Sequence, residues 1–473
     1  MSRYYLLIIT IFAFAGLLVS CGKKSDTATK SPAVERSLGK VEFANSCDPK
    51  VQQTLNSSLA LLHHMMYGQA ETEFLKVSEM DPECPMAHWG IAMTQFHPLW
   101  APPSHAELEK GFNAIERAIK LNPKTKREQE FVVAAKAFYD GWQTVDHKTR
   151  IAAWSEGQKL VYENNPGDID AGAFYALSLL ATAPKKIKDY TNQKLAGGLL
   201  ENLIKTAPEH PGLFHYTIHA YDNPELASRA VPVARRYDKL APNVPHALHM
   251  PSHIFVRLGY WPETIDWNIR SANAAEEQSK DFMILHYMHA VDYLVYAYLQ
   301  QGQYGAVSEL LEKVNRLKYH QDSFIAAYGI AAAQCRSALE RGSWKEASEI
   351  AVKTHGEFPW GNYPQYEAIY FYAKGLGSVK SGDVETARVN KARLDELYSS
   401  TVDNGEVYWS VIVDAQRKTI DAWIKFISGD KDNGLQMMIA AADLEDSVDK
   451  HPVTPGSVMP ARDMLGDMLL LVN

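Results

Sequence analysis

A short helical segment with a glycine, an aromatic residue and alanines recurs along most of the chain. Examples are YGQAETEFLKVSEMDP from residue 67, QGQYGAVSELLEKV from residue 301 and RGSWKEASEIAV from residue 341. The copies show self-similarity at about 34 residues, and helical periodicity dominates after residue 47. Glycine permits a tight turn and alanine permits close approach of two helices. The chain is therefore predicted to be an array of helical hairpins, each burying its apolar face against its neighbours.

The composition agrees with a folded array and excludes one class of partner. Hydrophobic residues make up 46% of the 473 residues and charged residues 22%, which is enough to bury a core. The formal net charge is −8. Because no basic face is evident to meet phosphates, nucleic acid is not expected as a partner.

The repeated segments resemble the second half of a tetratricopeptide repeat, which has a glycine turn, an aromatic residue, a small residue at the helix crossing and a closing proline. The resemblance covers most of residues 48–450, in roughly nine hairpins. The last segment, PGSVMPARDMLGDMLLLVN, is predicted to be a closing helix. The resemblance implies an all-α, tetratricopeptide-like α-solenoid over residues 47–473, a right-handed superhelix of helical hairpins. It also implies that the first helix of each hairpin lines a concave groove, which binds a protein or peptide.

The first 46 residues are predicted to lie outside the array. Residues 1–20 contain Arg3 and an apolar run that ends in LVSC, which is similar to a bacterial lipoprotein signal peptide with Cys21 as the lipidated residue. Residues 21–46 are predicted to be a flexible, lipid-anchored linker. The resemblance implies a bacterial cell envelope protein, bound to the membrane through its N-terminal lipid at the outer membrane or periplasmic face. A transmembrane anchor that happens to end in cysteine is the alternative.

Two further cysteines flank the first hairpin. The predicted compartment is oxidising, so cysteines can pair there. Cys47 precedes the first helix and Cys84 follows the second. An antiparallel hairpin brings its two ends together, within the Cα range that a disulfide requires. A Cys47–Cys84 disulfide is predicted, and two free thiols are the alternative. Cys335 lies on an apolar helix face and is expected to be buried.

Histidines are concentrated in two consecutive hairpins. The segment HALHMPSHIF contains His246, His249 and His253, and the preceding hairpin carries His215 and His219 in PGLFHYTIHAYD. A shift of 34 residues places His215 on His249 and His219 on His253. In the earlier helix the two histidines lie beside the packing stripe, at i and i+4. The sequence therefore predicts a histidine stripe on the concave surface.

A third hairpin extends the same pattern. With a shift of 43 residues, His246 aligns with His289 and His249 aligns with Asp292. Three consecutive first helices would then present ligand-type residues in register, and imidazole nitrogens suit Zn, Cu, Ni or Fe. Asp222, next to the earlier pair, or Asp292 is expected to supply a carboxylate ligand or to orient an imidazole without touching the metal. Together these eight residues form the predicted metal site.

Two other interpretations of the histidines stay open. They suit recognition of a peptide in the groove, or packing of helices through hydrogen bonds. Pro251 also puts the alignment of the second pair in doubt, because proline kinks a helix. The sequence contains no HExxH, GxSxG, CxxC or phosphate-binding glycine loop, so catalytic residues are unknown and the question of an enzyme is open. The leading hypothesis is an envelope-anchored scaffold for a protein or peptide. The alternative is a metal-binding protein or a metal-dependent enzyme.

Overall fold

The computed structural model describes residues 37–184, 188–278, 285–317, 321–352 and 358–472. Cys21, with the predicted signal peptide and lipid anchor, lies outside the described residues. The described residues contain α-helices and short 3₁₀ turns and no β-strand. None of the helices found in these ranges is long and apolar enough to cross a membrane.

The helices are α1 (Gln52–His63), α2 (Tyr67–Met80), α3 (Pro85–Thr94), α4 (His105–Lys120), α5 (Lys126–Tyr139), α6 (His147–Asn164), α7 (Ile169–Ala181), α8 (Thr191–Ile204), α9 (Pro211–Tyr221), α10 (Ala227–Ala234), α11 (Tyr237–Leu240), α12 (Pro245–His249), α13 (Pro251–Leu258), α14 (Trp261–Gln278), α15 (Leu285–Gln300), α16 (Tyr304–Asn315), α17 (Phe324–Glu340), α18 (Trp344–Glu349), α19 (Pro364–Lys380), α20 (Val384–Asp403), α21 (Val407–Ile427), α22 (Lys431–Glu445) and α23 (Ala461–Leu470).

Consecutive helices pack as hairpins. The pairs begin with α1 and α2 and end with α21 and α22, and α12 and α13 together form the first helix of the sixth pair. First helices also pack against first helices of the next hairpins, as α15 does on α17 and α17 on α19. The described residues thus form ten hairpins, close to the number predicted, and α23 closes the array. The fold class is the predicted all-α, tetratricopeptide-like α-solenoid.

The repeated residues have the roles that their chemistry predicts. Gly302 and Gly342 lie in the turns between paired helices with φ of +65° and +63°, a conformation that side chains disfavour. Ala347 and Ala387 are fully buried where helices cross. The repeated residues of the sequence therefore mark the turns between helices and the points where helices cross.

The array begins earlier than the sequence predicts. Val41 and Phe43 are buried, and Phe43 stacks on Trp89 with ring centroids 5.5 Å apart. The backbone N–H of Lys40 donates to the carbonyl of Glu209 at 2.8 Å. Residues 37–46 are therefore packed against the hairpins, whereas the sequence predicts a flexible linker for the whole of residues 21–46. Two apolar residues at i and i+2 face the same side of an extended segment, a pattern too short to register as periodicity.

Cys47 and Cys84 form a disulfide with a Cα–Cα distance of 4.8 Å, and Cys335 is buried and unpaired. The bond connects the start of the first hairpin to the start of α3 across a sequence separation of 37 residues. Closing a loop of this size restricts the unfolded chain. The pairing predicted from the sequence is the pairing in the structure.

Replacing Cys47 by serine is expected to lower the free energy of unfolding by about 2–4 kcal/mol, because the unfolded chain regains the entropy of the open loop. Urea denaturation under oxidising conditions measures the difference. Dithiothreitol should bring the parent down to the level of the variant and leave the variant unchanged. Equal stability of the two oxidised proteins would contradict the prediction.

Candidate metal centre

Three histidines from the sixth and seventh hairpins, His249, His253 and His289, form a group that is here called triad B. The helix is interrupted between His249, the last residue of α12, and Pro251, the first of α13, as the proline predicts. Met250 keeps a right-handed helical conformation, so the chain continues along nearly the same path. The Nε2 atoms of His249 and His253 lie 3.0 Å apart, and the ring of His289, from α15, is centred 4.0 Å from that of His249. All three are buried.

The second group, triad A, is His215 and His219 from α9 with His246 from α12. The Nε2 atoms of His215 and His219 lie 3.1 Å apart, and the rings of His215 and His246 are centred 5.0 Å apart. In each triad, one ligand atom from every member lies within 4.8 Å of the others. The six predicted histidines are therefore brought together, as two adjacent sets of three.

The two triads share a small pocket. Its volume is about 20 Å³, and it is lined by His219 and His246 from triad A and by His253 and His289 from triad B. A volume of this size holds about one water molecule. The pocket shares His219 and Trp100 with a neighbouring cavity of about 1140 Å³. The histidines are thus buried in the protein but border a space that a ligand can enter.

Hydrogen bonds from the outer nitrogens define the tautomers of two rings. His249 Nδ1 lies 2.7 Å from Asn268 Oδ1, and the amide nitrogen of Asn268 donates to the Thr264 carbonyl. His253 Nδ1 lies 3.0 Å from Asp222 Oδ2. Both partners are acceptors, so each Nδ1 carries the proton. The Nε2 atoms of both rings therefore carry lone pairs.

These two lone pairs face each other at 3.0 Å. Such a contact is unfavourable unless a proton or a metal ion lies between the nitrogens. A proton is disfavoured because burial holds the pKa of His249 well below its usual value and also lowers the pKa of His253. A metal cation satisfies both lone pairs at once, since a neutral imidazole is the form that binds metal.

In triad A, one ring has its tautomer set by a hydrogen bond in the same way. His215 Nδ1 donates to the carbonyl of His63 at 2.7 Å, so its Nε2 lone pair points towards His219. Burial also holds the pKa of His215, His246 and His289 well below the usual value. These rings are neutral at pH 7, as metal ligands must be.

Asp222 lies behind triad B and orients one of its rings. Besides accepting from His253, its carboxylate lies 2.8 Å from Arg257 Nε and 3.3 Å from Lys450 Nζ. Burial lowers the pKa of Lys450 to about 8. Of the two roles predicted for Asp222, the structure supports orientation of an imidazole, a common arrangement around metal-binding histidines.

Asp292 does not belong to the site. Its side chain is buried against Arg336, with 3.5 Å between Oδ1 and Nε, and burial raises its pKa to about 6. His289, one helical turn earlier on α15, meets His249 instead. The prediction that Asp292 aligns with His249 is wrong by one turn, because α15 packs against α12 with His289, and not Asp292, opposite His249.

Residues from two connecting segments complete the surroundings, and the sequence did not place them in the predicted metal site. Trp100, between α3 and α4, has its ring centred 5.8 Å from that of His246. Lys450 and His451, between α22 and α23, line the cavity. In the sequence, only the aromatic and proline residues of these long connections mark the two segments. Helical periodicity does not predict where residues of a connection lie in the fold.

A second buried cluster connects α1, α7 and α9. Asp170 Oδ1 lies 2.9 Å from His63 Nε2 and 3.1 Å from His210 Nε2, and His63 Nδ1 lies 3.0 Å from the hydroxyl of Tyr216. Burial raises the pKa of Asp170, but the hydrogen bonds from the two histidines outweigh it and lower the pKa overall. Both nitrogens of His63 are used in this network, which therefore packs helices and also places the His63 carbonyl next to His215.

The stability of the metal-free protein is expected to fall as the pH is lowered from about 6.5 towards 4. Burial lowers the pKa of His63 to about 4, and of His64 and His286 to about 3. Between these values and about 6.5 the unfolded chain takes up protons that the folded chain does not. Each such histidine costs about 1.4 kcal/mol per pH unit in this window. Urea denaturation at pH 7.5, 6 and 5 measures the slope.

His286→Phe should make that slope shallower, because it removes one of the groups that titrate only on unfolding. His105→Ala, at an exposed histidine, is the control for the loss of a histidine as such. A stability that is constant from pH 7.5 to 5 would rule out this account of the buried histidines.

No protein-family model matches the chain, and no curated protein matches it. Among solved structures it is similar to yeast Tom70, with 10% identity over 89% of this chain and 88% of that one and a TM-score of 0.43. It is also similar to the human IFIT1 dimer with m7Gppp-AAAA, with 13% identity over 84% of this chain and 82% of that one and a TM-score of 0.37. It is similar as well to the P58(IPK) TPR domain, with 11% identity over 89% of this chain and 98% of that one and a TM-score of 0.22. These values describe an arrangement of helices, and nothing about the site follows from them.

Proposed function

We propose that the protein binds a divalent transition metal, Zn, Cu, Ni or Fe, through His249, His253 and His289. The observation that carries this proposal is the 3.0 Å contact between two Nε2 atoms whose Nδ1 atoms are both committed to acceptors. Nitrogen ligands about 2.0–2.1 Å from a tetrahedral metal lie about 3.3 Å apart, so a metal fits with a small shift of the rings.

The surroundings support a site with an exchangeable ligand. Three histidines leave one position of a tetrahedral metal open, and the shared pocket of about 20 Å³ has room there for water. Structural metal sites are closed by four protein ligands, whereas catalytic sites keep one position for water or substrate. The geometry therefore favours a metal-dependent enzyme over a purely structural metal, with the neighbouring cavity as the space for its substrate.

Calorimetric titration of the demetallated full-length protein tests the proposal. Saturable binding of Zn, Cu or Ni salts tighter than about 10 μM is expected, together with metal in the purified protein by elemental analysis. His105→Ala, on the exposed start of α4, serves as a histidine control and should bind like the parent. Absence of saturable binding for all three metals would end the metal hypothesis.

The cavity supports a second function, recognition of a protein or peptide segment. Its volume of about 1140 Å³ exceeds the range of about 300–1,000 Å³ of small-molecule pockets. Tyr363, Tyr366, Tyr408 and Trp409 contribute aromatic surface to its wall. Tyr408→Ala should weaken binding of extended peptides, measured by fluorescence anisotropy, and leave metal binding intact. If no peptide of a diverse library binds the parent protein, the proposed peptide-binding function is excluded.

We further propose that the protein is attached to the bacterial envelope through lipid on Cys21. The support is the lipobox-like LVSC after an apolar run. Cys21→Ser should abolish incorporation of labelled lipid and leave unprocessed precursor, because the thioether forms on the cysteine thiol. A variant that matures and fractionates like the parent would contradict the anchor.

A further inference from the structure

We propose that the two triads form one dinuclear centre, with a second metal ion bound by His215, His219 and His246. This inference rests on the proposed metal function and adds an ion and a ligand position to it. The triads are adjacent: the rings of His219 and His253 are centred 6.0 Å apart, and those of His246 and His289 6.5 Å apart.

The second triad is prepared for a cation independently of the first. The His63 carbonyl takes the Nδ1 proton of His215, which directs the Nε2 lone pair towards His219. His246 is buried, and neither of its ring nitrogens has a hydrogen-bond partner. A buried polar group without a hydrogen-bond partner destabilises the fold, and coordination to a metal removes that penalty.

The shared pocket supplies a position between the two ions. It is lined by two histidines of each triad, and it holds about one water-sized ligand. Metal ions in two-metal sites lie about 3.5–4 Å apart and share such a ligand. The ligand class of this position is therefore a single small oxygen or nitrogen donor, such as hydroxide or azide.

The donor set indicates the class of metal. Neither triad contains a carboxylate, and within the described residues Asp222 reaches the site only through His253. Imidazole donors suit copper, zinc, iron and nickel, whereas magnesium, calcium and manganese prefer oxygen. A pair of late transition metals, each with three imidazoles, is the centre that these residues fit, and Cu(II) is the most informative probe because it is paramagnetic.

The test is loading of the full-length protein with Cu(II), followed by elemental analysis and electron paramagnetic resonance. Two coppers per chain are expected, with an integrated signal well below two spins because a shared ligand couples them. Azide should change the spectrum by replacing that ligand. One copper per chain, or two coppers that give two independent spins, would overturn the dinuclear centre. A protein that binds no metal would overturn the proposed function as well.

His246→Ala and His246→Gln separate the two ions. Both variants should retain one copper, now with the full signal of one spin, because triad B is intact. Circular dichroism identifies a variant that fails to fold, and His246→Gln preserves more of the buried volume than His246→Ala. His105→Ala should keep two coupled coppers. If a folded His246 variant still binds two coppers with a coupled signal, the assignment of the second ion is wrong.

Discussion

Replacing His249 and His253 together by alanine is expected to abolish metal binding at triad B. These residues supply the two Nε2 lone pairs that face each other at 3.0 Å, and His289 alone cannot hold the ion. Removal of a group that merely orients a ligand costs about 10–100-fold in affinity, so loss of two direct ligands should exceed that range. Calorimetric titration compares the variant with the parent.

The same variant should lose the stabilisation that metal at triad B gives to the fold. Metal at 100 times its Kd adds about 2.7 kcal/mol to a protein that binds it only when folded, so the Tm of the parent should rise with the logarithm of metal concentration. The Tm of the variant should rise less with metal than that of the parent, since only triad A can still bind an ion.

Asp222→Asn provides a graded comparison, because it keeps both ligands and weakens the orientation of His253. Its affinity for metal should fall by about 10–100-fold. His219→Ala with His253→Ala removes one ligand from each triad and should reduce binding at both. A His249/His253 double variant that binds metal like the parent would exclude triad B as the site.

Replacing Arg336 by methionine is expected to lower the free energy of unfolding by about 3–5 kcal/mol, the range for breaking a buried ion pair. The side chain is fully buried, and its Nε lies 3.5 Å from Asp292 Oδ1. Its guanidinium also donates to the carbonyls of Gly456 and Ser457, both at 2.9 Å. The variant leaves two carboxylates, those of Asp292 and Glu340, and two carbonyls without their cationic partner. Urea denaturation measures the loss.

Arg336 also holds the segment between α22 and α23 that brings Lys450 and His451 to the cavity. Limited proteolysis should therefore cut residues 446–460 faster in Arg336→Met than in the parent. Arg316→Met, at the exposed C-cap of α16, is the matched control and should change neither property.

The double variant Arg336→Met, Asp292→Leu should recover part of the stability, because it removes the unpaired charge of the more deeply buried partner, Asp292. Proteolysis of the segment should stay fast, since its carbonyls still lack the guanidinium. A single variant as stable as the parent would show that the pair contributes nothing to folding.

The sequence by itself determined the fold class and much of the histidine register. Helical periodicity, turn glycines such as Gly302 and crossing alanines such as Ala347 are local features, because each hairpin is built from adjacent residues. The Cys47–Cys84 pairing follows from the same locality, since an antiparallel hairpin brings its own ends together.

Only the tertiary structure decided how the histidines are divided and what prepares them. His246, from α12, groups with the two histidines of α9, and His289, from α15, groups with His249 and His253, while Asp292 contacts Arg336. Asn268 and the His63 carbonyl orient the rings from helices that periodicity assigns only to packing. Convergence of side chains depends on how neighbouring helices cross and rotate, and those angles come from packing along the whole array and not from any one repeat.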